Sequence, residues 1–229
     1  MTRKHPFRPA LFRFLEELAA NNDRAWFEAN KERYEDCVRG PALEFIAACA
    51  PLLERISPHV VADPRKQGGS LFRIHRDVRF ARDKSPYKTY TGIQFRHAQG
   101  RDAHAPGFYL HLEPRQIFLG MGIWRPDAPT ARRVREAILA DPAGWKRATR
   151  SKPFAQAFDL AGDALKRPPA GVAPDHPFVE DLKRKDFIAT RHLAPGEVTA
   201  PDFERDFAGL CKRGAPFMRF LCGAVGVPF

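Results

Sequence analysis

Four arginines, Arg73, Arg76, Arg79 and Arg82, recur at every third position of the stretch 72–88, FRIHRDVRFARDKSPYK, where Asp77 and Asp83 are the only carboxylates. A guanidinium presents a planar fork of donors that fits phosphate or carboxylate oxygens two at a time, and such charge-assisted bonds are about twice as strong as neutral ones. The pattern therefore predicts an anion site centred on residues 73–88, with Arg73, Arg76, Arg79 and Lys84 as ligand contacts. Asp77 would orient a guanidinium, and Tyr87 would stack on a base or bond a phosphate. The surrounding sequence leans the same way. Between Arg65 and Arg101 there are ten Lys or Arg against two Asp, so most of the chain's net charge of +11 lies in a short segment. A field of that sign favours polyanions and anionic substrates.

A spacing of three does not place arginines on one face of a strand, because strand side chains alternate. If 71–77 is extended, Leu71, Arg73, His75 and Asp77 share one face, and Phe72, Ile74 and Arg76 the other. Apolar Phe72 and Ile74 need a core, so Arg73 and His75 are expected on the polar side, and Arg76 must find a carboxylate or a bend. In GFYLHLEP the same alternation sets Tyr109, His111 and Glu113 opposite Phe108, Leu110 and Leu112. If these polar faces coincide, the candidates for acid, base or metal ligand are His75, Asp77, His111 and Glu113, and the matching reaction is phosphoester hydrolysis. Gly120 and Gly122 open space for a ligand or for close packing. No tight metal-ligand spacing supports a metal assignment, and no Walker-type loop or Rossmann fingerprint is present, so no cofactor is identified.

These residues need elements to position them. Leu11, Phe12, Leu15, Leu18 and Ala19 predict a first helix ended by Asn21-Asn22-Asp23, where Asn22 or Asp23 caps a second helix carrying Trp26, Phe27, Tyr34, Cys37 and Val38. Gly40 and Pro41 end that helix and start a third, with Phe45, Ile46, Cys49, Leu52, Leu53 and Ile56 buried. The middle third alternates with period two, giving about four strands: SLFRIHR, TGIQFRH, GFYLHLEP and RQIFLGMGIW, joined by short antiparallel connections. Helices return after Pro126, with Val134, Ala137 and Ile138 inward and Asp141-Pro142 as cap and first turn. LKRPPAGVAPDHP is a proline-rich loop, a possible lid carrying His176. The last long helix begins near Thr199-Ala-Pro-Asp202, carries Phe203, Phe207 and Leu210, and breaks at Gly214 and Pro216. Helices, then strands, then helices predict one α+β domain over 1–229, a mainly antiparallel sheet with N-terminal and C-terminal helices packed on it.

Cys37, Cys49, Cys211 and Cys222 lie in apolar segments without a C-x-x-C pair, which predicts reduced, buried thiols in a cytoplasmic protein. The basic start, MTRKHPFRPA, runs into an amphipathic segment with Glu16 and Glu17 rather than an apolar leader. The longest apolar run, FIAACAPLL, is too short for a bilayer, so no membrane partner is expected.

The residues Arg73, Arg76, Asp77, Arg79, Phe80, Lys84, Pro86 and Tyr87 match R-x-x-R-D-x-R-F-x-x-x-K-x-P-Y without departure. The chain thereby resembles a widespread bacterial and fungal family of uncharacterised proteins. NNDRAWFEANKERYE, GFYLHLEP, GMGIWRPD and LKRPPAGVAPDHPFVEDLKRKDF extend the resemblance over nearly the whole chain. It implies no reaction, cofactor or catalytic residue. Three readings follow from the residues themselves: an anion site for a phosphate, nucleotide or nucleic-acid phosphate, with or without hydrolase chemistry; a non-catalytic module that tracks a nucleic-acid backbone; and a purely structural Arg/Asp network in an interaction protein.

Overall fold

A computed structural model describes residues 7–100 and 106–229. The opening residues read for a leader, and Arg101 of the basic run, lie outside them. The helices are α1 (Pro9–Ala20), α2 (Arg24–Ala29), α3 (Lys31–Tyr34), α4 (Gly40–Glu54), α5 (Ala128–Ala140), α6 (Pro142–Arg150), α7 (Lys152–Ala155), α8 (Val179–Leu182), α9 (Pro195–Val198) and α10 (Phe203–Val225). The strands are β1 (Val60–Val61), β2 (Thr91–His97), β3 (Gly107–Glu113), β4 (Gln116–Ile123), β5 (Asp159–Ala161) and β6 (Phe187–His192).

The fold is α+β, and its sheet is antiparallel throughout with strand order β1-β2-β3-β4-β6-β5. It has six strands where about four are expected, for two reasons. SLFRIHR is not a strand: Leu71 bridges Ile93 and His75 bridges Tyr87 as isolated pairs. Between those bridges three residues face five, so the return segment bulges, which breaks the ladder and pushes Tyr90 out of register. In compensation, β1, β5 and β6 complete the sheet; β1 and β5 are two and three residues long, too short for alternation to register.

Register fixes which residues share a face. Ile93 pairs with Leu110 and Leu110 with Leu119, while Met121 pairs with Ala189, so these buried side chains form the core layer. On it lie α4 and α10: Phe45 and Phe207 contact Phe95 at ring distances of 6.3 and 5.4 Å, and Phe203 stacks on Phe45 at 5.5 Å. The opposite face carries Gly92 and Gln94 of β2, Tyr109, His111 and Glu113 of β3, and Phe118, Gly120 and Gly122 of β4. Phe72, expected in the core, instead lies over this face beside Tyr109, at 5.9 Å.

Two helix breaks expected from proline and glycine do not occur. The expected second helix is interrupted at Asn30, but α3 runs on into α4 through Gly40-Pro41 by widening into a π-turn over Glu35–Arg39. Pro41 has no N–H to donate into the preceding turn, and a Cβ on Gly40 would lie 2.8 Å from the Glu35 carbonyl, so the widened turn needs the glycine. Likewise α10 is continuous through Gly214 and Pro216. Gly214 serves packing: a Cβ there would sit 2.1 Å from Met121 Sδ, so the helix approaches β4 as closely as a backbone allows. Asp202 precedes α10 as its N-cap residue in the left-handed region, at φ +61°. Asp23 and Asp141 cap α2 and α6 as expected, accepting from the Trp26 and Gly144 N–H groups. All four cysteines are free thiols, three of them buried. Among the described residues, no helix is long and apolar enough to cross a membrane.

Candidate functional site

The face of the sheet turned away from the core is roofed by the 70–90 segment, and two adjoining cavities lie between them. The first has a volume of about 400 Å³ and is walled by rings: Phe72, Tyr90, Tyr109, His111, Phe118 and Trp124, with Gln94 and Thr190 as further polar groups and Gly120 and Gly122 at its floor. The second, about 650 Å³, is polar, and its walls include Asn22, Arg76, Asp77, Asp83, Ser85, Tyr87, Lys88, Glu113 and Gln116. Tyr90 and His111 belong to both walls. An apolar concavity with a few convergent polar groups is the usual form of a small-molecule site.

Alternation on β3 lines up a hydrogen-bonded chain. Tyr109 Oη lies 3.0 Å from His111 Nδ1, His111 Nε2 lies 3.3 Å from Glu113 Oε2, and Thr89 Oγ1 donates to Glu113 Oε1 at 3.2 Å. The His111 ring is sandwiched, stacked on Phe118 at 4.9 Å and covered by Tyr90 at 4.6 Å. Burial lowers the pKa of His111, against a smaller upward pull from Glu113, so the imidazole stays neutral near pH 7. Burial also pushes the Tyr109 phenol well above its ordinary value, aided by Tyr90 and Glu113. Gly92 makes room for this arrangement: a Cβ there would fall 2.7 Å from Tyr109 Oη.

Asn22 holds the arginine motif in place. Its side chain accepts from the Tyr87 N–H and donates to the Tyr87 carbonyl, both at 3.0 Å, while the Tyr87 ring stacks on Phe27 at 4.1 Å. Tyr87 is 3 % exposed, so one ring face already has a partner within the protein. The guanidiniums meet the motif's own carboxylates. Arg79 forms a two-point bond with Asp77 at 2.9 and 2.7 Å, and Arg76 bonds Asp83, which also accepts from the Ser85 N–H and hydroxyl. The Arg79 bonds hold the Asp77 carboxyl down at about 2; Ser85 first and then Arg76 hold Asp83 lower than its ordinary value. Lys84 donates to the Val78 carbonyl at 3.0 Å.

Of the residues singled out by sequence, Arg76, Asp77, Tyr87, His111 and Glu113 meet around the polar cavity. Arg73, Arg79, Lys84 and His75 line neither cavity; His75 is exposed and rests against Tyr87 at 5.2 Å. The set of His75, His111 and Glu113 is thus not assembled, and among the described residues no three His, Cys, Asp or Glu side chains are grouped to hold a metal ion. His176 accepts from the Phe178 N–H and lines neither cavity.

Sequence reasoning missed Lys88. Its ammonium donates to the Arg73 carbonyl at 2.8 Å and lies 5.5 and 6.0 Å from the centres of the Phe72 and Tyr90 rings. Burial lowers its pKa and Arg73 lowers it further; among the described residues no carboxylate pairs with it. The one available signal was its place at the end of the motif. Phe72 and Tyr90 were missed because alternation assigned the first to the core and skipped the second in the bulge.

The model of a family described as conserved hypothetical protein (DUF2461) matches residues 10–220. The chain belongs to this family. The match spans the helices, the sheet and both cavities, so the site lies within what defines the family. Neither the curated proteins nor the solved structures contain a match.

Proposed function

We propose that the protein binds a small anionic ligand with an aromatic or apolar body. The ring-walled cavity takes the body, and the anionic group, a phosphate or carboxylate, sits at Lys88 with Arg76 beside it. The observation that carries this reading is Lys88: a half-buried ammonium with no acidic partner among the described residues, seated on two rings of the adjoining cavity. Partial burial of a cation without a counter-ion is unfavourable, and a ligand anion would offset it. Arg73, Arg79 and Lys84 then act through the field that draws the anion in, rather than by contact. The unit that carries the site is one α+β domain over the whole chain.

Phenyl phosphate tests this directly, by titration calorimetry at moderate salt. Saturable binding that exceeds the affinity for inorganic phosphate is expected, and equal or absent binding of the two overturns the reading. The same incubation, assayed for released phosphate, tests hydrolysis, with His111 and Glu113 as the acid–base pair.

A second reading, a non-catalytic nucleic-acid module, is favoured by one observation. Phe80 is 96 % exposed at the tip of the motif loop, next to Arg79 and near Arg82. Stacking on a base would bury that ring, at about 1 to 3 kcal/mol per base. Single-stranded oligonucleotide binding with a steep salt dependence, lost in Phe80→Ala, is the expected signature. In the third reading the Arg/Asp pairs are structural, but Arg79–Asp77 is mostly exposed, where solvent screening leaves an ion pair little net effect on stability.

A further inference from the structure

The order of atoms in the chain from Tyr109 to Glu113 determines which way its protons point. A carboxylate only accepts, and Glu113 faces His111 Nε2, so Nε2 carries the imidazole hydrogen. His111 Nδ1 is then a bare acceptor, and the hydrogen between it and Tyr109 Oη belongs to the phenol. Committing that hydrogen leaves the phenol oxygen able only to accept from anything else. Phe118 and Tyr90 cover the imidazole and hold its orientation. Tyr109 and His111 both wall the aromatic cavity.

We infer that Tyr109 is a specificity-determining acceptor, selecting ligands whose apolar body carries a hydroxyl, as in phenols and alcohols. This rests on the reading of the aromatic cavity as a ligand site. The hydroxyl donates to Tyr109 Oη. Glu113 is a positioning residue here, since it acts by holding the tautomer of His111. A ligand with an ether or carbonyl oxygen at the same point would set acceptor against acceptor.

Matched probes test this: 4-nitrophenol, a donor, and 4-nitroanisole, its methyl ether, each measured by equilibrium dialysis against the full chain. The expected preference for the phenol is roughly fivefold to tenfold, the range of one neutral hydrogen bond. Tyr109→Phe removes the preference while both probes still bind. Glu113→Gln, whose amide can donate to Nε2 and so release the tautomer, reduces it without unfolding the protein; circular dichroism monitors the fold. Equal affinity for the two probes in the wild-type protein, or a preference that survives Tyr109→Phe, overturns the inference while leaving the cavity a ligand site. Failure of both probes to bind overturns the cavity reading, and this inference with it.

Discussion

Replacing Lys88 by methionine separates its ammonium from its stem. Methionine keeps the apolar length that lies over Phe72 and Tyr90 and deletes only the charge and the bond to the Arg73 carbonyl. Two opposing effects on stability are expected. Losing a bond to a carbonyl of exposed Arg73, which water can replace, costs about 0.5 to 1.5 kcal/mol at most. Removing a half-buried ammonium that faces Arg73 and, among the described residues, no carboxylate gives back desolvation and repulsion of comparable size. The variant should therefore melt close to the wild-type protein. The sign of its pH dependence follows from linkage. The folded pKa of Lys88 is lowered, so the unfolded chain binds more protons between that value and the ordinary 10.5, and wild-type stability rises with pH across this window. The difference between Lys88→Met and wild type should shift in favour of wild type as pH approaches 10.5. Affinity behaves differently. A charge-assisted bond to a ligand anion is worth about 1.5 to 3 kcal/mol, so phenyl phosphate should bind about tenfold to a hundredfold more weakly. Calorimetric titration and thermal melts of both proteins give both quantities. A folded Lys88→Met that binds phenyl phosphate as tightly as the wild type would refute the assignment of Lys88 as the anion seat.

Three further outcomes are expected. Gly120→Val, whose Cβ has ordinary contacts with Phe118 and Tyr109, should fold and weaken binding of aromatic probes by filling the cavity, whereas Gly122→Ala should destabilise the sheet, because Gly122 has φ +114° and a Cβ there would lie 2.1 Å from the Phe187 carbonyl. Gly214→Ala gains about 0.8 to 1 kcal/mol of helix propensity but overpacks Met121, a cost of about 1 to 3 kcal/mol, so the single variant should be destabilised and the same change in a Met121→Ala background stabilised; denaturant unfolding of the four proteins measures the coupling. In an NMR titration the Asp77 carboxyl should titrate near 2 and move toward 3.8 in Arg79→Ala; since its folded pKa is depressed, the loop contact it makes is complete above about 3.8 and lost as pH falls through 2.

The two-residue period of β3 was enough to place Tyr109, His111 and Glu113 on one face, because a strand's pleat alone decides that. It was not enough for Phe72, whose face depends on a bulge that only the distant pairings Leu71–Ile93 and His75–Tyr87 create. Gly214 and Pro216 read as a helix end because local propensity disfavours both; packing of α10 against Met121 and the core overrides it. The six-stranded sheet was half legible: β1 and β5, two and three residues long, carry no period, and the six residues of β6 were not read as a strand.

By itself the sequence determined the α+β class, the clustering of positive charge around the motif, and the polar side chains of β3 that share a face. These follow from periodicity and composition, which are properties of neighbours along the chain. Tertiary structure decided which charges cancel. It paired Arg79 with Asp77 and Arg76 with Asp83, tied Tyr87 to Asn22 across 65 residues, and left Lys88 on two rings with no acid beside it among the described residues. Charge compensation depends on distance through space and on burial, so a cation left uncompensated is one the arginine pattern did not single out.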